Sequence, residues 1–145
     1  FPRSFPIPFR RTFRKVWSSW RSSGRATLYL DGHQNMAKHG IGQVDAILFN
    51  LGWLPGIEHA VTTRTETTLQ AVNAAVDMIR PGGVMTICVY PGHEEGKREL
   101  QALLEWARNL DSSWLDARIT SYLNIKNDPP VMIAVAKRLK KKKKS

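Results

Sequence analysis

From Ala26 onward, short dense runs of apolar residues alternate with stretches in which they recur at a helical period. Ala26–Leu30, "ATLYL", is strand-like and stops at Asp31-Gly32-His33. Val44–Phe49, "VDAILF", is a nearly continuous apolar run, the pattern of a parallel strand covered on both faces. Thr63-Arg64-Thr65-Glu66 has the spacing of a capping box, and the helix it opens places Leu69, Val72, Val76 and Ile79 on one face. That helix ends at the Arg80-Pro81-Gly82-Gly83 break. Val84–Tyr90, "VMTICVY", predicts a second buried strand, followed by Pro91-Gly92. A second helix is predicted from about His93 to Asn109, with Leu100, Leu103, Leu104 and Ala107 inward. Glu94 and Glu95 in its first turn and Arg108 near its end suit the helix dipole. "DARITSYL" (116–123) and "VMIAVA" (131–136), joined by the turn-forming "NIKNDPP", predict an antiparallel hairpin.

This order predicts an open α/β sheet, mostly parallel, with a C-terminal antiparallel hairpin that places a reversed strand at one edge. Ligands of such sheets bind beyond the carboxyl ends of the strands. The ends here are Asp31-Gly32-His33, Asn50-Leu51-Gly52-Trp53 and Tyr90-Pro91-Gly92-His93. At the second of these, a buried strand finishes by presenting an amide and an indole together, an arrangement suited to a planar, amino-bearing group. Asn50 also reads as an ordinary turn residue, and Trp53 as an anchor for Pro55.

Residues 1–25 have a different texture. Prolines at 2, 6 and 8 interrupt a segment rich in Arg, Ser, Phe and Trp, with no period of either kind. The expected division is an irregular basic arm over 1–25, an α/β domain over 26–136 and a disordered lysine-rich tail over 137–145. The chain of 145 residues carries a net charge of +10. Seven Lys/Arg lie in residues 1–25 and seven in 137–144, with no acid in either, so the middle holds 22 − 14 = 8 bases against 12 acids. The centre is therefore mildly acidic, and the basic ends can hold phosphate without sequence preference or be plain solvated tails. No apolar run reaches the roughly 18 residues of a membrane span, and the start has no signal-peptide pattern. The single cysteine, Cys88, reads as core and fits a reducing, cytoplasmic compartment. None of the four histidines is paired at metal-ligand spacing, so no metal site is expected.

Several motifs in fixed order carry a resemblance. "FNLGWLPG", "TETT", "PGG", "YPGHEEG", "LLEW" and "NDPP" all lie between Phe49 and Pro130. Together with the terminal hairpin they resemble a class I S-adenosylmethionine-dependent methyltransferase. The similarity is greatest to the family first described as rRNA methylases and now regarded as tRNA 5-aminomethyl-2-thiouridine methyltransferases. Amino-group methyltransferases carry an Asn/Asp/Ser-x-x-aromatic turn after the fourth strand; Asn50-Leu51-Gly52-Trp53 has that spacing, with Leu-Gly in place of the usual Pro-Pro. The resemblance implies S-adenosyl-L-methionine as cofactor and the anticodon region of tRNA as partner, with an aminomethyl group on the wobble uridine as the methyl acceptor. It implies Asn50 and Trp53 as catalytic residues, and Asp31, Gly32, His33, Asn50, Leu51 and Gly52 as cofactor contacts. The family pattern at the first of these turns is similar to Asp-Ser-His, so Gly32 removes a hydroxyl. Substrate contacts are expected at Trp53, Tyr90, His93, Asn127 and Pro129. His93 equally reads as a helix cap, and "NDPP" as a plain turn.

Asn50 would accept a hydrogen bond from the amine and aim its lone pair at the methyl carbon, so that positioning supplies most of the acceleration. Trp53 would stack on the nucleobase, worth about 1–3 kcal/mol. A full member of the resembled family begins with a strand and a glycine-rich turn, then a second strand ending in an acidic residue. Neither precedes Ala26, which points to a truncated or out-of-frame start. Family sheets run 3-2-1-4-5-7-6. Without strands 1 and 2, "ATLYL" crosses to pair with Val44–Phe49, or that edge lies bare, or a second copy covers it in a homodimer. The alternative function is a catalytically impaired member acting as a basic RNA-binding module. A hydrolase based on His93 and Glu94 is disfavoured by the lack of a nucleophile at a strand-end turn.

Overall fold

The structure, a computed structural model, describes residues 18–52 and 64–139. Trp53, Thr63 and most of the two basic ends lie outside the described residues. The chain divides into two units, Phe1–Asp31 and Gly32–Ser145. In the first, residues 18–22 are helical. Their end is closed by Ser22 and Ser23 hydroxyls donating to the Ser19 and Trp20 carbonyls, and the Arg25 guanidinium lies 5.5 Å from the Trp20 ring centre.

Residues 26–30, predicted as a strand, have no regular structure. A strand gains its hydrogen bonds only from a neighbour, and this segment has no paired strand; Leu30 is fully exposed. Of the three alternatives offered for the Val44–Phe49 edge, pairing with residues 26–30 is not the one found among the described residues.

The second unit opens with a 3-10 helix, His33–His39, then β1 (Val44–Asn50), α1 (Thr65–Met78), β2 (Ile79–Val89), α2 (Glu94–Arg108), β3 (Leu115–Thr120) and β4 (Val131–Lys137). The sheet order is β1-β2-β4-β3. β1 and β2 are parallel, while β4 runs antiparallel to both β2 and β3. Three strands thus share one direction around a single reversed one, a mixed α/β sheet of truncated Rossmann-like form. The order matches the 4-5-7-6 portion of the expected sheet.

The predicted break at Arg80–Gly83 takes another form. α1 runs straight into β2, Ile79 pairs with Val44, and the next pair is Ala46 with Val84. Arg80-Pro81-Gly82-Gly83 loops out between them, with Arg80 ion-paired to Asp45.

Met85, Ile87, Val89, Ile133 and Val135 alternate onto one face and pack with Ala71, Val72 and Ala75 of α1 and Leu103 of α2. Each such aliphatic side chain contributes about 1.5–3 kcal/mol by leaving water. Cover on both faces was expected, but among the described residues the helices cover one. Leu48 is 78% exposed and Val84 and Met132 are partly exposed, because α1 and α2 both lie on the other side. Cys88 belongs to this open face and is half-buried rather than core.

Lys137 and Arg138 were expected in a disordered tail, but both are tied to the domain. The Lys137 ammonium donates to the Val76 carbonyl in the last turn of α1 (2.9 Å), where the helix dipole favours a cation. Arg138 pairs with Asp116 (Nε to Oδ2, 3.0 Å), which holds that carboxyl below its ordinary range.

Candidate active site at the carboxyl ends of β1 and β2

β1 ends at Asn50, whose side chain is exposed, while Leu51 next to it is buried at 2% and anchors the turn. The Leu51 N–H donates to the Cys88 carbonyl (2.9 Å), extending the parallel pairing one residue past the strand. Gly52 follows with φ +136°, a conformation that side-chain-bearing residues rarely adopt, and a Cβ there would stand 3.4 Å from the Tyr90 ring. This is the physical reason for glycine in the "NLGW" turn.

In β2, Cys88 is the register partner of Asn50. Two residues on, Tyr90 turns back over this row, and its hydroxyl donates to Asn50 Oδ1 (3.0 Å). The Tyr90 phenol is held above its ordinary range, chiefly by its hydrogen bond with the Cys88 side chain, then by burial. Asn50, Tyr90 and Cys88 therefore form one cluster at the open-face end of the sheet. Sequence reading placed Tyr90 near the substrate but missed Cys88. The signal was available in the alternation of "VMTICVY", which puts Cys88 opposite Ile87 and Val89.

His93 is the N-cap of α2, and its Nδ1 accepts from the Gly96 N–H (3.0 Å). Of the two readings left open by the sequence, the cap is the one seen in the structure. Gly96 is itself required by close approach, since a Cβ there would lie 2.2 Å from the Tyr90 carbonyl oxygen. The "YPGHEEG" motif is thus a strand end, a turn, a cap and a helix start packed against the strand it leaves.

The capping-box reading of α1 falls partly on Thr63, outside the described residues. Arg64 is the N-cap and makes no side-chain cap bond. The first turn is instead satisfied from α2: Glu95 Oε1 accepts from the Thr65 N–H (3.1 Å) and hydroxyl (2.9 Å). These bonds, the backbone one foremost, hold the Glu95 carboxyl below its ordinary range. One turn on, the buried Thr68 hydroxyl donates to the buried Glu99 (2.6 Å).

His33 faces this helix side. Its ring meets Phe49 edge-on (6.2 Å), and burial lowers its pKa while the Glu99 charge and the Thr67 carbonyl oppose the shift. Its Nε2 is buried and makes no hydrogen bond. Gly32 opens the 3-10 helix, its carbonyl accepting from the Asn35 N–H (2.9 Å). Asp31 lies in the first unit.

Asn127 and Pro129 lie on the connection from β3 to β4, where Asn127 (φ 72°) and Asp128 (φ 50°) are left-handed in succession. Pro129 and Asp128 line a groove of about 350 Å³ with Pro91, Lys97, Leu100, Gln101, Ser121, Tyr122 and Val131.

The exposed carboxamide of Asn50 and the Gly52 backbone, which has no side chain to block a close approach, fit a nucleoside-containing ligand at this end of the sheet. Asn50 and the Leu51–Gly52 backbone are the groups that could hold it; His33, expected as a cofactor contact, has its ring turned to the helix side against Phe49. Among the described residues, no group of three or more His, Cys, Asp or Glu is placed to bind a metal ion, and no helix is long and apolar enough to cross a membrane.

The family profile described as "Putative rRNA methylase" matches residues 10–136, reaching further into the N-terminal arm than the motifs do. A tRNA (mnm(5)s(2)U34)-methyltransferase, chloroplastic, of Arabidopsis thaliana is 34% identical over 99 residues. These are 66% of this chain and 35% of that protein, so the chain spans about a third of that relative's length. A putative rRNA methylase from Clostridium thermocellum superposes with a TM-score of 0.79 at 33% identity, over 92% of this chain and 72% of that one. A putative methyltransferase from Streptococcus mutans, solved in complex with SAH, superposes with a TM-score of 0.73 at 30% identity, over 88% and 70% of the two chains. The chain belongs to the rRNA methylase family, within the class I S-adenosylmethionine-dependent methyltransferases.

Proposed function

We propose that this chain forms the acceptor-side part of an S-adenosylmethionine-dependent methyltransferase that methylates an amino group on the wobble uridine of a tRNA, converting aminomethyl to methylaminomethyl. The substrate is inferred from the Arabidopsis relative, whose name specifies that nucleoside. The observation that carries the reading is the Tyr90 hydroxyl on Asn50 Oδ1.

A carboxamide oxygen has two lone pairs. Tyr90 occupies one, which fixes the orientation of the amide, and the exposed side chain leaves the other for an incoming N–H. With one amine N–H held there, the nitrogen lone pair is directed along a single line, the requirement for an in-line displacement. S-adenosylmethionine, when bound, supplies the methyl group on a sulfonium sulfur. The N–C bond forms as the S–C bond breaks, and the ammonium product loses its proton to solvent, so Asn50 need not act as a base. The amine must arrive neutral, which the partly desolvated end of the sheet favours.

The test pairs calorimetric titration of the 145-residue chain with S-adenosylhomocysteine and a labelled-methyl assay on tRNA bearing the aminomethyl group. The reading predicts 1:1 binding and label in the wobble nucleoside. Absence of both contradicts it.

A further inference from the structure

The groove between α2 and the β3–β4 connection lies outside the Asn50–Tyr90–Cys88 cluster, and its construction points to a ligand of its own. Its volume of about 350 Å³ is within the range of small-molecule sites. Pro91, Leu100 and Pro129 supply apolar walls, and Gln101 offers an amide that both donates and accepts. Tyr122 is 59% exposed, leaving a ring face open to solvent at the groove. The adjoining Leu123 and Ile125 are also exposed, so the connection presents apolar surface where a loop is ordinarily polar.

Charge distinguishes between a heterocycle and a phosphate. Lys97 is the groove's cation, and it is already matched by Glu94 (3.3 Å) and Asp128 (4.0 Å). A cation so neutralised is a weak trap for phosphate. A flat apolar slot with an aromatic face and a hydrogen-bonding rim suits a neutral nucleobase. The backbone strain lies at the same place. Asn127 and Asp128 are consecutive left-handed residues, and Asp128 directly precedes a proline, which restricts it further.

We infer that this groove holds the nucleobase next to the methyl-accepting nucleotide in single-stranded RNA, stacked on Tyr122 and read at its edge by Gln101 and Asp128. The inference rests on the RNA methyltransferase reading above. The link is covalent: Pro91 follows Tyr90, whose hydroxyl is 3.0 Å from Asn50. One Cα step of about 3.8 Å therefore separates a groove wall from the residue that positions the acceptor site.

The experiment uses the 145-residue chain and an anticodon stem–loop carrying 2-aminopurine beside the target uridine. Binding should quench its fluorescence. Tyr122→Ala should weaken binding by about 5- to 150-fold and remove the quench, whereas Tyr122→Phe should bind within about twofold of wild type. Tyr122 is exposed, so melting of both variants should match the parent. Wild-type affinity and quench in Tyr122→Ala would overturn the groove assignment, even with methyl transfer intact. Loss of methyl transfer in the parent chain with a Tyr122-dependent quench would overturn the enzymatic reading and keep the groove.

Discussion

At the residue scale, the proposed methyl transfer depends on how one amide is held. Tyr90 removes the rotational freedom of the Asn50 carboxamide, and the worth of that bond is testable. Tyr90→Phe keeps the ring against Gly52 and deletes the hydroxyl. A neutral hydrogen bond contributes about 0.5–1.5 kcal/mol, so the methyl-transfer rate constant should fall about two- to tenfold, with tRNA affinity unchanged; stopped-time labelling assays measure both. His33 makes a second residue-scale prediction. Its pKa is lowered below the ordinary 6.5 by burial, so the folded state disfavours its protonation. The stability this represents is complete above pH about 6.5 and is lost as pH falls from there through the lowered value. Melting temperatures across pH 5–8 should show that limb in the parent and lack it in His33→Gln.

Asn50 was legible in the sequence because a polar amide closing an apolar run stands out at a strand end. Its tie to Tyr90 was not, since that depends on Asn50 aligning with Cys88 in a strand 40 residues away. Trp53, the other half of the same motif, lies outside the described residues.

At the element scale, the sequence signalled where helices begin but not what satisfies their ends. Local spacing suggested that Thr63 and Glu66 would cap α1. The described bonds come from Glu95 and Glu99 of α2, so the two helices share carboxylates across their N-terminal turns. Spacing within one segment cannot reveal such a bond, because its partner lies about 30 residues on. Thr68→Val keeps the volume and removes the hydroxyl that donates to the buried Glu99 carboxylate. The cost should be about 1–3 kcal/mol, read as a lower denaturant midpoint with an unchanged slope. "ATLYL" failed as a strand for a related reason: apolar composition makes pairing favourable but supplies no neighbour. The start of helix α2, by contrast, followed its sequence closely, because its His93 cap acts within one turn.

At the scale of the whole molecule, the mixed sheet and its terminal hairpin were readable from the succession of elements, whereas the strand order came from the family resemblance. The reversed strand expected at an edge lies between β2 and β3. That the two described helices share one face was not readable. Dense apolar runs at Val44–Phe49 and Val84–Val89 imply two covered faces, yet α1 and α2 cover only one. The exposed Leu48 and Val84 face ends at the Asn50–Tyr90–Cys88 cluster, and β1 is the sheet's edge strand among the described residues. The groups proposed to position the acceptor thus lie on the side of the fold that the two described helices leave open. Single-turnover methyl transfer by Asn50→Ala, run beside a direct measurement of tRNA affinity, tests this most directly. The transfer rate constant should drop about 100-fold or more while the tRNA dissociation constant stays within threefold. An unchanged rate constant, or an equal loss of rate and affinity, would contradict it.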